Sequence, residues 1–135
     1  MKYSPFFFLD RLIDFYFKIF GLKLNYIDLG EYKMEYWIGN KDKPVVLLLH
    51  AFGPNGKYSW VSQVKVLSRK YNVLIPNLIY FGKSTMRNKS YHVKDQVDAV
   101  KCLLKNLKIN SFSIGGTSYG GVIAFELLHT KKFKI

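Results

Sequence analysis

Ser111-Phe112-Ser113-Ile114-Gly115-Gly116-Thr117-Ser118-Tyr119-Gly120-Gly121 runs from a short apolar segment through a glycine-rich bend into Val122 to Thr130, a stretch of helical composition. Inside it, Gly116-Thr117-Ser118-Tyr119-Gly120 has the form G-x-S-x-G and stands between a predicted strand and a predicted helix. A bend of this kind is tight enough to hold a serine at its apex in a strained conformation, hydroxyl outward. Backbone then passes close on both sides, so side chains at Gly116 and Gly120 would clash. The helix that follows aims its first amides and positive dipole end at the same point. That suits a serine with an oxyanion developing beside it. Taken alone, the pentapeptide also fits an ordinary glycine-rich turn, so the flanking segments have to decide.

Working upstream, Val45-Val46-Leu47-Leu48-Leu49 is a continuous apolar run, which implies burial on both faces as in a parallel sheet. His50-Ala51-Phe52-Gly53-Pro54-Asn55-Gly56 follows it as a loop, and Trp60, Val61, Val64, Val66 and Leu67 predict a helix to about Lys70. Asn72–Pro76 is a second buried strand, and a loop to Ser90 holds Gly82, Lys83 and Ser84. Val93, Val97, Val100, Leu103, Leu104 and Leu107 keep helical spacing. Nearer the start, Asn25–Leu29 and Lys33–Ile38 read as strands around a turn at Gly30-Glu31. The order is helix, then β-β-β-α-β-α-β-α, which is an α/β fold with a parallel sheet.

The first 22 residues form a unit of their own, an amphipathic helix, with residues 23–135 as the α/β part. Ser4-Pro5 suits a helix start and Gly21 a stop. The charged positions Asp10, Arg11, Asp14 and Lys18 share one face opposite a broad apolar side. Those charges exclude a membrane-spanning helix and a signal peptide. Two placements remain open for residues 5–20: attachment to a membrane surface, or packing as a leading helix on the domain.

Composition narrows the rest. Of 135 residues, 49% are hydrophobic and 17% aromatic, which excludes disorder. One cysteine, Cys102, excludes a disulfide scaffold and is compatible with a reducing compartment, so a cytoplasmic chain, free or membrane-associated, is expected. The net charge is +12, concentrated after residue 60. The lysines are scattered, without base-stacking aromatics, and no nucleic-acid partner is expected. The three histidines lack ligand partners at useful spacing, so no metal site is expected. No cofactor is implied.

The serine bend and the His50-Ala51-Phe52-Gly53 loop together resemble the α/β-hydrolase family, whose loop at that place donates a second amide to the oxyanion. A third segment agrees: Ile75-Pro76-Asn77-Leu78-Ile79-Tyr80-Phe81-Gly82-Lys83-Ser84 is similar to the family's P-D-L-x-x-x-G-x-S. The aromatic pair Tyr80-Phe81 is similar to plant-type members described as monoacylglycerol-lipase-like or as hydrolases of meta-cleavage products. The resemblance covers roughly residues 25–130. It implies Ser118 as nucleophile, the backbone N–H groups of Phe52 and Tyr119 as oxyanion donors, Gly116, Gly120, Gly121 and Gly53 as elbow and loop glycines, and His50 as structural. It implies a small-molecule substrate with an ester, thioester or activated C–C bond. Lys83 and Tyr119 are placed at the pocket mouth. Ala51 and Asn77 depart from the family's usual Gly and Asp.

In this family an Asp or Glu and then a His follow the serine along the chain. After Ser118 come one acid, Glu126, and one histidine, His129. On a helix beginning at the serine they lie about 12 and 16 Å along its axis, too far for a base that must come within about 3 Å. His50 and His92 precede the serine, and neither matches the family's base. The expectation is therefore the N-terminal half of an α/β-hydrolase sheet, ending after the helix that follows the serine. It would be a truncated product or remnant with little or no activity of its own. Its last strand would carry an open edge for self-association. A non-catalytic interaction protein or a peripheral membrane protein built on the half-fold is the alternative.

Overall fold

The computed structural model describes residues 4–130 and 133–134, so residues 1–3, 131–132 and 135 at the ends of the two expected units lie outside it. Ten elements follow in order: α1 (Pro5–Ile19), β1 (Lys23–Asp28), β2 (Tyr32–Ile38), β3 (Val45–Leu49), α2 (Gly56–Leu67), β4 (Asn72–Pro76), β5 (Thr85–Met86), α3 (Val93–Asn106), β6 (Ser113–Gly116) and α4 (Tyr119–Leu128). The sheet runs β1-β2-β4-β3-β6, and β5 pairs with β2 off that path. It is mixed: β1, β2 and β4 pair antiparallel, while β3 pairs parallel with both β4 and β6.

The continuous apolar strands do what two-faced burial requires. Val46 and Leu48 of β3 pack under α1 and α2 with Ile13, Phe17, Trp37, Val64, Val73 and Ile75. Leu47 and Leu49 pack on the opposite face under α3 and α4 with Leu74, Val97, Leu103, Leu104, Ile123 and Leu127. Alternate residues of one strand thus feed two cores, and no polar alternation survives in its sequence.

Several boundaries differ from the sequence expectation. Gly115 and Gly116 are not part of the bend but complete β6, paired opposite Leu48 and Leu49. A glycine pair reads as a turn, yet here pairing with the β3 edge makes it extended, and the missing side chain at 116 lets α4 begin close against it. α4 accordingly begins at Tyr119 rather than Val122. α2 begins at Gly56, four residues before Trp60, with the Gly56 N–H held by Asn77 Oδ1 at 2.7 Å and no room for a Cβ against Ile75 Cγ2. β5 was not expected. Its two residues in a polar loop carry no periodicity and owe their conformation to pairing with Tyr32 and Lys33.

α1 is where sequence and structure diverge most. Pro5 opens it and Gly21, at φ +83°, ends it, but the Ser4 side chain makes no capping bond. The charged positions do not form one solvated face. Asp10 and Asp14 turn inward onto Lys57 in the first turn of α2, with Nζ 2.8 Å from Asp10 Oδ1, and the Tyr58 hydroxyl donates to Asp10 at 2.9 Å. Lys57 is buried, so its charge is stable only because both carboxylates meet it. Burial pushes the Asp10 carboxyl upward, but the bonds from Lys57 and Tyr58 outweigh it and hold the group below its ordinary value. Burial and Asp10 push the Tyr58 hydroxyl up to about 12. Ile13 and Phe17 fill the core beneath, Phe17 edge-on to Trp37 at 5.1 Å.

Replacing Lys57 with Met leaves two neighbouring carboxylates without their cation. The Lys57→Met variant is expected to lose about 1–3 kcal/mol, less than a fully buried pair because the aspartates keep some solvent. Urea denaturation at pH 7 reads the loss, and an unchanged midpoint would show that the triad adds nothing.

Candidate active site

β3 and β6 end side by side, with Leu49 opposite Gly116, and both chains turn out of the sheet there. The Thr117 N–H donates to Leu49 O at 3.2 Å, which pins the two turns together. Ser118 follows at φ 50° and ψ −119°, a conformation that costs a side-chain-bearing residue on the order of 1–3 kcal/mol. It persists because its surroundings leave no alternative. A Cβ on Gly120 would collide with the carbonyls of Leu49 and His50, and one on Gly116 would lie 2.5 Å from Gly120 O. Gly121 and Gly53 are not required in this way, since a Cβ would stand 3.6 Å from Gly116 O and 3.9 Å from Ala51 O respectively.

Ser118 is exposed, and its hydroxyl makes no capping bond to the helix it precedes. Its carbonyl accepts from the N–H groups of Gly121 and Val122, which begins α4. The Tyr119 N–H, first of the helix, has no backbone acceptor among the described residues, and neither has the Phe52 N–H in the facing loop. The two segments meet: the Phe52 and Tyr119 rings are 5.6 Å apart, and Phe81 stands 5.0 Å from Phe52. Backbone amides without a backbone acceptor, with a helix N-terminus next to an exposed hydroxyl, are the kind of donors that can stabilise an alkoxide or a tetrahedral oxyanion.

The loop carrying Phe52 is fixed from below. His50 is fully buried; its Nε2 accepts from Leu78 N–H at 2.9 Å and its Nδ1 donates to Ala51 O at 2.7 Å. Burial lowers the imidazole's pKa, so the ring is neutral at pH 7 and both nitrogens are engaged. The Ala51 N–H donates to Ser59 Oγ at 3.3 Å.

A cleft of about 470 Å³ opens beside Tyr119, lined by Phe52, Ile79, Tyr80, Phe81, Tyr91 and Gln96. Gln96, which sequence reasoning passed over, grips Ile79 at both ends: Ile79 N–H donates to its Oε1 at 2.7 Å and its Nε2 donates to Ile79 O at 3.0 Å. A cavity of about 540 Å³, at the opposite end of β3 and β4, is lined by Lys41, Lys43, Asn72 and Lys108 and lies away from Ser118. Lys83 is not at the cleft. It sits 5.3 Å over the Tyr26 ring, because its own N–H is drawn to Glu35 Oε2 at 2.7 Å.

Glu35 is the second residue that sequence reasoning missed. It is buried on β2 and accepts from Asn77 Nδ2 at 2.9 Å, while Asn77 Oδ1 accepts from Gly56 N–H at 2.7 Å. An amide serves this position because it donates to one neighbour and accepts from the other. An aspartate there would face Glu35 with like charge.

The remaining titratable groups stay apart from Ser118. His129 Nδ1 donates to Phe125 O, one turn back on α4. His92 stands before α3, its N–H donating to Asp95 Oδ2 at 3.1 Å. Glu126 is exposed on α4. Among the described residues no group of three His, Cys, Asp or Glu side chains could hold a metal ion.

Comparison with known proteins places this arrangement. A family model described as the alpha/beta hydrolase fold matches residues 44–135. Epoxide hydrolase 4 of Mus musculus is 30% identical over 107 residues, 78% of this chain and 27% of the relative. The chain thus spans about a quarter of the length of the curated relatives it matches. Among solved structures, a serine hydrolase from Cycloclasticus zankles is 27% identical at a TM-score of 0.76, over 84% of this chain and 44% of that one. A haloalkane dehalogenase variant from Bradyrhizobium elkanii is 26% identical at 0.75, over 84% and 38%. A bacterial membrane phospholipase A shares the fold at a TM-score of 0.83 and 24% identity, over 96% of this chain and 43% of that one.

Ser118→Gly removes the strained Cβ and is expected to raise stability by on the order of 1 kcal/mol, seen as a higher urea midpoint at an unchanged slope; no gain would mean that residue 118 stores no strain. Asn77→Asp is expected to cost about 1–3 kcal/mol by setting a carboxylate against Glu35. Adding Glu35→Gln should recover most of that loss in the same measurement, and failure to recover would assign the cost elsewhere.

Proposed function

The chain belongs to the α/β-hydrolase family, and on that premise we propose that Ser118 is the nucleophile of an acyl-transfer site acting on carboxylic esters or related acyl or activated C–C bonds. The observation that carries this is the serine held at positive φ before α4; the Tyr119 N–H that follows it and the Phe52 N–H of the loop in ring contact with Tyr119 have no backbone acceptor among the described residues. Ser118 Oγ would attack the acyl carbon and pass its proton to a base supplied from outside residues 1–135. The carbonyl oxygen, now negative, would accept from those two N–H groups. Collapse would break the bond to the leaving group, which takes that proton and departs as an alcohol, a thiol or, for an activated C–C bond, a protonated carbon acid, leaving an acyl ester on Ser118. Water then attacks the same carbonyl and frees the acid.

The atom at position 118 favours acyl substrates over the epoxides and haloalkanes named for some relatives. A hydroxyl opening an epoxide or displacing a halide forms an alkyl ether. An ether has no carbonyl for water to attack, so the enzyme would be alkylated once and stop. An acyl ester can be hydrolysed and the serine recovered.

Activation is the weak point of residues 1–135 taken alone. A serine hydroxyl is a poor nucleophile at neutral pH without a base. His50 is buried with both nitrogens engaged, His129 Nδ1 is bonded to Phe125 O on α4, and His92 stands at the start of α3 with its backbone N–H on Asp95. These residues therefore supply the nucleophile and oxyanion donors, and the base and acid would come from outside them. Loss of triad partners removes most of the rate while leaving what the oxyanion site and binding provide.

Intact-mass spectrometry after incubation with p-nitrophenyl butyrate, and separately with a fluorophosphonate probe, tests both parts. Slow single modification at Ser118, absent in Ser118→Ala, is expected. A folded chain that neither reagent modifies would overturn the nucleophile assignment. Labelling at the rate of an active serine hydrolase would overturn the claim that base and acid lie outside these residues.

A further inference from the structure

We propose that α1 is an interfacial helix that lies on an anionic lipid bilayer, with its outer face as the contact surface. Its faces are sorted in a way that packing alone does not explain. Ile13 and Phe17 point into the core, and Asp10 and Asp14, the only acids on the helix, turn inward onto Lys57 and Tyr58. The opposite side carries Phe8, Leu12, Phe15 and Ile19, with relative exposures of 58%, 64%, 63% and 60%. Their spacing of four, three and four residues puts them on one stripe along the helix.

Such a stripe of large apolar side chains, unpartnered among the described residues, is a surface for something else. Its border says what. At 100° per residue Arg11 and Lys18 fall together on one flank of the stripe, about 40–60° from Phe15. The helix therefore shows its surroundings apolar groups with a basic edge and keeps its negative charge satisfied from within. The whole chain carries +12. An anionic bilayer matches both features: acyl chains receive Phe8, Leu12, Phe15 and Ile19, and headgroup phosphates meet Arg11 and Lys18. A second copy of this chain matches only the apolar part, since pairing would press two basic edges and two +12 molecules together. The helix lies on the surface without crossing it; among the described residues no helix is long and apolar enough to span a membrane.

The geometry also sets an orientation. Lys57 opens α2, directly after the loop that carries Phe52. The N-terminal half of α1 is thus held at the end of the sheet where Ser118 lies. The docking proposal does not depend on the chemistry assigned to Ser118.

Sedimentation of the full chain with phosphatidylcholine vesicles, with and without phosphatidylserine, tests it. Binding to the anionic vesicles is expected, weakened at least about tenfold by the double variant Leu12→Ser, Phe15→Ser. Both positions are exposed, so the variant should keep the wild-type circular dichroism and urea midpoint. Arg11→Gln with Lys18→Gln should weaken anionic binding and flatten its salt dependence. Failure to bind anionic vesicles, or equal binding by wild type and the Leu12/Phe15 variant, would overturn the proposal. So would a dimer in analytical ultracentrifugation that this variant dissolves without any vesicle binding, which would assign the stripe to a second copy.

Discussion

Everything at the chemical end of this molecule depends on how closely α4 begins against the end of β3. Gly120 rests on the carbonyls of Leu49 and His50, and Gly116 on the carbonyl of Gly120, with no space at either point for one more carbon. This contact obliges the chain to reverse within Thr117 and Ser118 and puts Ser118 at positive φ. Parallel pairing of β3 with β6 then brings the two outgoing loops together, and the bond from Thr117 to Leu49 holds them. The free amides, the exposed hydroxyl and the aromatic wall of Phe52, Phe81 and Tyr119 are consequences of that one approach.

Much of this was legible in the residues because the signals were local. Val45–Leu49 is apolar throughout and Asn72–Pro76 is apolar after its first residue, as two-faced burial demands, and both are strands at those bounds. α3 follows its apolar spacing to within a residue. What was illegible depended on distant partners. Gly115 and Gly116 look like turn residues, and only the β3 edge makes them a strand. Lys57, ordinarily a surface residue, is buried because two aspartates more than forty residues away receive it. The same pairing fixes how α1 packs: composition marks which residues are charged, but not that a buried cation draws two of them inward. Glu35 sits in a strand whose other residues are mostly apolar, and only its meeting with Asn77 and the Lys83 amide gives it a purpose.

The relatives share a frame but not a reaction. An epoxide hydrolase matches this chain in sequence, and a haloalkane dehalogenase variant and a phospholipase share its fold, so the fold does not select the bond that is broken. Selection falls to the atom at the apex of the bend and to what surrounds it. In this chain that atom is a hydroxyl oxygen, beside a cleft whose walls are aromatic and whose floor is tied by Gln96. His50, Asn77 and Gln96 use their polar atoms to hold backbone around the cleft, which leaves its surface to apolar contact.

The bond from Thr117 to Leu49 joins residues far apart in the chain, and it closes only after β3 and β6 have found each other. Before that closure nothing forces residue 118 out of an ordinary backbone basin, and its amide neighbours have no common focus. Covalent capture of this one oxygen, where the proposed nucleophile assignment holds, would double as a conformational reporter. It would mark molecules whose central strands have assembled and pass over collapsed chains whose helices have formed without them.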